Sequence, residues 1–150
     1  MDTIQCAIVL AKLDRFDWER RRRIEIGARY NELVNRGRAG ARTLTVREDR
    51  DSVYAQYTVL VEERQEVQKR LKARGIPTAV HYPIPLHRQP AYSDYRALDG
   101  CPASDRLAER VLSLPMHADL DARVQEEIVE CLRQSVAEGE SRPLERVDLA

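Results

Sequence analysis

With 150 residues and 43% hydrophobic side chains, the chain suits one domain with a true core. Its 25 basic and 25 acidic residues cancel, which argues against a nucleic-acid or anionic-membrane partner held by bulk charge. All but three of the basic residues are arginine, so chemistry through a lysine Schiff base has only Lys12, Lys69 and Lys72 to draw on.

The first element is a long helix. Asp2 is a helix cap, and Gln5 completes a capping-box pattern with it. Ile4, Ile8, Leu10, Ala11, Leu13 and Phe16 give an apolar side at helical spacing. The pattern shifts at Asp17 and Trp18, then resumes through Ile24, Ile26, Ala28, Tyr30, Leu33 and Val34 to a stop at Asn35–Gly37. Residues 1–34 thus read as a connecting helix, long enough to bridge to something outside the domain. Within it lies Arg20-Arg21-Arg22-Arg23. Four consecutive helical residues fan around the axis and cannot form one basic face. The simpler reading is solvated surface with ion pairs such as Glu19–Arg23 and Arg21–Glu25. The alternative is a stand-alone interaction module that binds nucleic acid or protein through this helix.

Residues 35–52 read as a loop with a short strand at Thr43–Val46. Val53–Val61 alternates as a strand, with Val53, Ala55, Tyr57, Val59 and Val61 on one face. Glu63–Arg74 reads as a helix burying Val67 and Leu71, ended by Gly75. Ile76–Tyr82 reads as a second strand. A helix beginning at Pro102 sets Ala103, Leu107 and Val111 on one side. Leu112–Pro115 reads as a third strand. Asp121 caps a last helix burying Val124, Ile128, Leu132 and Val136. Residues 1–138 make the domain, and 139–150 read as a polar tail. The predicted class is α+β: a long N-terminal helix plus a small, mostly antiparallel three-stranded sheet with helices on one side.

The densest chemistry lies between the second strand and the Pro102 helix. His81–Tyr92, HYPIPLHRQPAY, holds two imidazoles, two phenols and three prolines. Pro83, Pro85 and Pro90 oppose a helix there and stiffen a loop, which makes it a presenter of side chains. His81 and Tyr82, where strand meets rigid loop, are the candidate ligand contacts. His81 and His87 lie six apart across two prolines and His117 is remote, so no metal site is expected. Ser93, Ser104 and Ser113 lack the glycine-rich elbow of a nucleophile, and no GxGxxG or GxxxxGK[ST] cradle is present. Cys6, Cys101 and Cys131 are odd in number and scattered, which points to reduced thiols and a cytoplasmic protein. No apolar run approaches the length of a membrane span.

Five segments together carry a resemblance. They are MDTIQCAI at Met1–Ile8 with Ala11–Leu13, GIPT at Gly75–Thr78, HYPIPLH at His81–His87, QPAY at Gln89–Tyr92 and LSLPM at Leu112–Met116. In order and spacing the chain resembles, over about residues 1–135, the small C-terminal domain of the DegT/DnrJ/EryC1/StrS family. These are fold type I aminotransferases, dependent on pyridoxal phosphate, that move an amino group from glutamate to a keto sugar on a nucleoside diphosphate. The resemblance implies that His81 and Tyr82 line the sugar-nucleotide pocket at a dimer interface. It also implies that the cofactor lysine, the aspartate facing the pyridine nitrogen and the phosphate-binding residues lie in a large N-terminal domain outside this sequence. The expectations are therefore a C-terminal piece of a surface-polysaccharide aminotransferase, inactive and free of cofactor by itself. Its partners would be the missing large domain and a second copy.

Overall fold

The computed structural model describes residues 2–37, 40–92 and 100–140. Its first element, α1 (Thr3–Arg36), begins at the anticipated capping box. The Asp2 carboxylate accepts from the Gln5 amide at 2.8 Å, and the Gln5 side chain accepts from the Asp2 amide at 3.4 Å. The helix runs unbroken for 34 residues, about 50 Å at 1.5 Å per residue, and closes on Leu33 O at Gly37. Only its second half is packed: Ile26, Gly27, Tyr30 and Val34 are buried, whereas Ala28 faces solvent.

Three antiparallel strands form one sheet in the order β1 (Ala41–Thr43), β2 (Tyr57–Val61), β3 (Val111–Leu114). Tyr57, Val59 and Val61 point into the core beside Leu112 and Leu114. Around them pack α1, α2 (Arg64–Ala73) and α4 (Ala122–Glu140), through Tyr30, Val34, Val67, Leu71, Ile128, Leu132 and Val136. The Tyr30 and Tyr57 rings stack at 4.5 Å, and the Tyr30 hydroxyl donates to Pro115 O at 3.0 Å. Burial raises the pKa of both phenols above the ordinary tyrosine value; for Tyr57 the neighbouring Tyr54 and Tyr30 add to it. Thr58, Leu60, Val111 and Ser113 face the other way, toward the proline loop and α3 (Pro102–Arg110), whose Ala108 is buried. The class is the anticipated α+β with a three-stranded antiparallel sheet, but α3 lies on the face opposite α1, α2 and α4, so the helices do not all sit on one side as expected.

Several elements differ from their sequence reading. The first strand lies at Ala41–Thr43 rather than Thr43–Val46. Gly40 precedes it at φ 64°, where its α-hydrogen faces Val136; a Cβ there would stand 2.3 Å from the Val136 side chain. The Val53–Val61 strand begins only at Tyr57. Tyr54 takes a left-handed turn at φ 45° that lays its ring on Gly27 of α1, and Val53 and Ala55 stay exposed. Ile76–Tyr82 is no strand: only Ala79 bridges to Ser113, through two backbone bonds of 3.1 and 2.8 Å. Pro77 and Pro83 bring no backbone donors to a longer ladder. Val111 opens β3 instead of ending α3, and Leu107 is half exposed. In α4, Val124 is exposed and Gln125 is buried, with its amide donating to Ile26 O of α1 at 2.9 Å. Asp121 does cap α4, accepting from the Arg123 amide at 2.7 Å. Residues 141–150, the bulk of the expected tail, and Ser93 lie outside the described residues.

Candidate functional site

The proline segment crosses the edge of the sheet. Gly75, at φ 77°, turns the chain out of α2, and the Ala79–Ser113 bridge pins it beside β3. Two residues on, His81 leaves the sheet half-buried, and Tyr82 stands 70% exposed. Their rings meet edge to face at 5.6 Å and 89°, and the peptide bond between them is cis. Past Pro85 the chain makes two single 3-10 turns, Leu86–Arg88 and Pro90–Tyr92, so the prolines exclude an α-helix while admitting these tighter turns.

The loop is tied to α3 by charge. Arg88 donates to Asp105 through Nη2 at 2.9 Å and lies 2.7 Å from it through Nε. His87 Nε2 lies 3.1 Å from the same carboxylate. His87 thus meets α3 and lines neither concavity beside His81. Between loop and α3 opens a concavity of about 540 Å³, with His81 and Tyr82 at its rim and Ile84, Leu86, Leu107 and Val111 in its walls. A smaller one of about 270 Å³ lies on the other flank of His81, against Ser113, Pro115 and Met116. The arrangement offers an imidazole and an accessible phenol above an apolar floor. An imidazole and a phenol can hydrogen-bond hydroxyl or phosphate oxygens, and an aromatic ring can pack on the apolar face of a ligand.

Three further residues around this site, Ser113, Thr58 and Asp105, escaped the sequence reading as partners of the loop. The Ser113 hydroxyl lies 3.0 Å from His81 Nδ1 and 2.9 Å from the Thr58 hydroxyl. The available signal was a serine between two leucines in a strand otherwise apolar. Asp105, the anchor of the loop, had no signal beyond its place in the first turn of α3.

The lysines do not fit a pyridoxal phosphate site. Lys12 sits on the exposed half of α1 and Lys72 on the outside of α2, while Lys69 donates to Glu66 at 2.7 Å. None lines either concavity beside His81. The arginine run serves the fold: Arg23 donates to Tyr54 O at 3.2 Å, and Arg22 pairs with Glu25 at 2.6 Å in place of the expected Glu19–Arg23 and Arg21–Glu25 pairs. No helix among the described residues is long and apolar enough to cross a membrane. Nor does any group of three or more His, Cys, Asp or Glu side chains among them converge to hold a metal ion.

Residues 1–133 match the model of the DegT/DnrJ/EryC1/StrS aminotransferase family. The chain is 46% identical, over 121 residues, to a UDP-2-acetamido-2-deoxy-3-oxo-D-glucuronate aminotransferase of Pseudomonas aeruginosa, covering 81% of this chain and 33% of that protein. It is 34% identical to a dTDP-3-amino-3,6-dideoxy-alpha-D-galactopyranose transaminase of Aneurinibacillus thermoaerophilus, covering 89% of this chain and 36% of that one. The crystal structure of a DegT DnrJ EryC1 StrS aminotransferase from Brucella abortus superposes with a TM-score of 0.83 at 36% identity, covering 91% of this chain and 36% of its own. The chain spans about a third of the length of the curated relatives it matches.

Proposed function

The chain belongs to the DegT/DnrJ/EryC1/StrS aminotransferase family, and on that premise we propose that it forms the C-terminal part of a cytoplasmic enzyme transferring an amino group from glutamate to a keto sugar on a nucleoside diphosphate. The observation that carries this reading is the juxtaposition of the family match with the loop that sets the half-buried His81 beside the exposed Tyr82 at the rim of the concavity. His81 and Tyr82 bind the sugar nucleotide, hydrogen-bonding its oxygens while the apolar floor takes the ring. Pyridoxal phosphate, which supplies the carbanion-stabilising electron sink when bound, is held by a lysine elsewhere in the enzyme. The names of the two relatives both place the reacting or aminated carbon at position 3, which favours a 3-keto sugar. The product is an amino sugar for surface polysaccharide.

The bare half of α1 fits the same reading. Ile4, Ile8, Leu10, Leu13 and Phe16 are each more than half exposed. They dock on the remainder of the enzyme or on a second subunit, and in the chain alone they drive self-association.

A chimera tests the proposal. Residues 1–133 replace the matching third of the Pseudomonas aeruginosa relative, and glutamate-dependent transfer is assayed. The expected result is an active enzyme in which His81→Ala or Tyr82→Ala raises KM for the nucleotide sugar at least tenfold, with a smaller change in kcat. An active chimera in which both substitutions leave KM unchanged would overturn the assignment of this site.

A further inference from the structure

We propose that Ser113, backed by Thr58, is a positioning residue that holds His81 in the tautomer carrying its proton on Nε2. The ring then meets a ligand as a hydrogen-bond donor; that ligand role rests on the reading of His81 given above. The geometry begins in the strand register. Ser113 pairs with Thr58 across β2 and β3, while its neighbours Leu112 and Leu114 enter the core on the opposite face. Only 4% of Ser113 is exposed, so protein groups must satisfy its hydroxyl. Its backbone is bonded in both directions to Ala79, which fixes the distance from β3 to the start of the His81 turn.

A hydroxyl brings one proton to its two contacts, so the chain of bonds has two directions. In one, Thr58 donates to Ser113, Ser113 donates to His81 Nδ1, and the imidazole proton stays on Nε2. In the other, Nδ1–H donates to Ser113, Ser113 donates to Thr58, and the Thr58 proton meets no further protein acceptor among the described residues. Each direction leaves one proton without a protein acceptor among the described residues: the first places it on Nε2 of a ring that lines the open concavity, where solvent or a ligand oxygen accepts it, and the second leaves it on the half-buried Thr58 hydroxyl. In general, the bond made by one imidazole nitrogen sets the protonation of the other. With Nδ1 occupied by Ser113, Nε2 is the nitrogen left for a ligand, and it carries the donor that a phosphate or sugar oxygen needs.

Nitrogen-15 NMR of the full chain in alkaline buffer, where imidazoles are neutral, reads each tautomer directly. Loss of a signal in His81→Gln assigns His81, and the exposed His117 serves as the internal reference. The expected result is a ratio of Nε2–H to Nδ1–H about fivefold higher at His81 than at His117, the factor supplied by one hydrogen bond of ordinary net strength. Ser113→Ala brings His81 to the pattern of His117. Thr58→Val keeps a strand-favouring side chain and removes the acceptor that the second direction needs, so the buried Ser113 hydroxyl gives its proton to Nδ1 and the ratio stays at or above the parent's. An Nδ1–H tautomer in the parent chain overturns the proposal, as does a ratio unmoved by Ser113→Ala. If Ser113→Ala does not fold, a Thr58→Val ratio below the parent's overturns it. No nucleotide sugar is present in these spectra, so they test Ser113 independently of the chimera.

Discussion

The two halves of α1 share one backbone and one sequence rhythm, yet they live in different surroundings. From Ile24 onward the apolar positions meet β2, β3 and α4, and Ile26, Tyr30 and Val34 are 2% exposed or less. Before Trp18 the same spacing meets solvent: Ile4 is 74% and Leu10 66% exposed. The first half touches the body of the domain near its end, where Arg15 reaches Asp119 at 3.1 Å and lies over the Trp18 ring. Helical periodicity reports that a face is built to be covered. It does not report whether the cover belongs to the same chain.

Substitutions in the packed half should cost the most. Tyr30→Ala removes the stack on Tyr57 and the bond to Pro115 O, and should destabilise the domain by about 3–5 kcal/mol in urea denaturation. Gly27→Ala is a subtler break in the same region. Its Cβ would stand 2.2 Å from Cδ2 of Tyr54, so the ring must move, at a cost of about 1–3 kcal/mol. Adding Tyr54→Ala should remove most of the extra cost of the Gly27 change, which a double-mutant cycle measures.

The packed half also carries an alkaline signature. The folded-state pKa values of Tyr30 and Tyr57 are raised by burial, so their neutral forms favour the folded state. That contribution is full below the unfolded tyrosine value of about 10 and is lost as pH rises beyond it. The urea midpoint should therefore fall above pH ~10, and Tyr30→Phe should make the fall shallower. The bare half should respond least in stability. Ile8→Ser and Leu13→Ser should move the unfolding free energy by no more than about 0.5 kcal/mol. The same pair should nonetheless reduce the concentration-dependent mass seen by light scattering. A large loss of stability instead would place the cover of this face within the chain itself.

Much of the fold was legible because its signals are local. The Asp2–Gln5 capping box, the glycine after α2, Pro102 at the head of α3 and Asp121 before α4 each satisfy backbone groups within a few residues. What failed depends on distant partners. Tyr54 breaks the alternation of its strand because Gly27, on another element, leaves room for its ring. Ile76–Tyr82 has strand composition, but Pro77 within it and Pro83 just after it limit pairing to one bridge. In the site, His81 and Tyr82 stood out by residue type. Ser113 and Thr58 did not, because their meeting is set by the β2–β3 register across 55 residues. Family membership was legible in motifs spread from Met1 to Met116.

The central claim is that these 150 residues present one wall of an aminotransferase site while the cofactor lysine belongs to another part of the enzyme. The direct measurement is to mix the purified chain with pyridoxal phosphate, follow the visible spectrum, and then assay amino transfer from glutamate to a 3-keto nucleotide sugar. The account predicts no stoichiometric spectral shift marking covalent capture of the cofactor by a lysine, and no transfer above background. A stoichiometric shift abolished by substitution of Lys12, Lys69 or Lys72, with turnover, would contradict it.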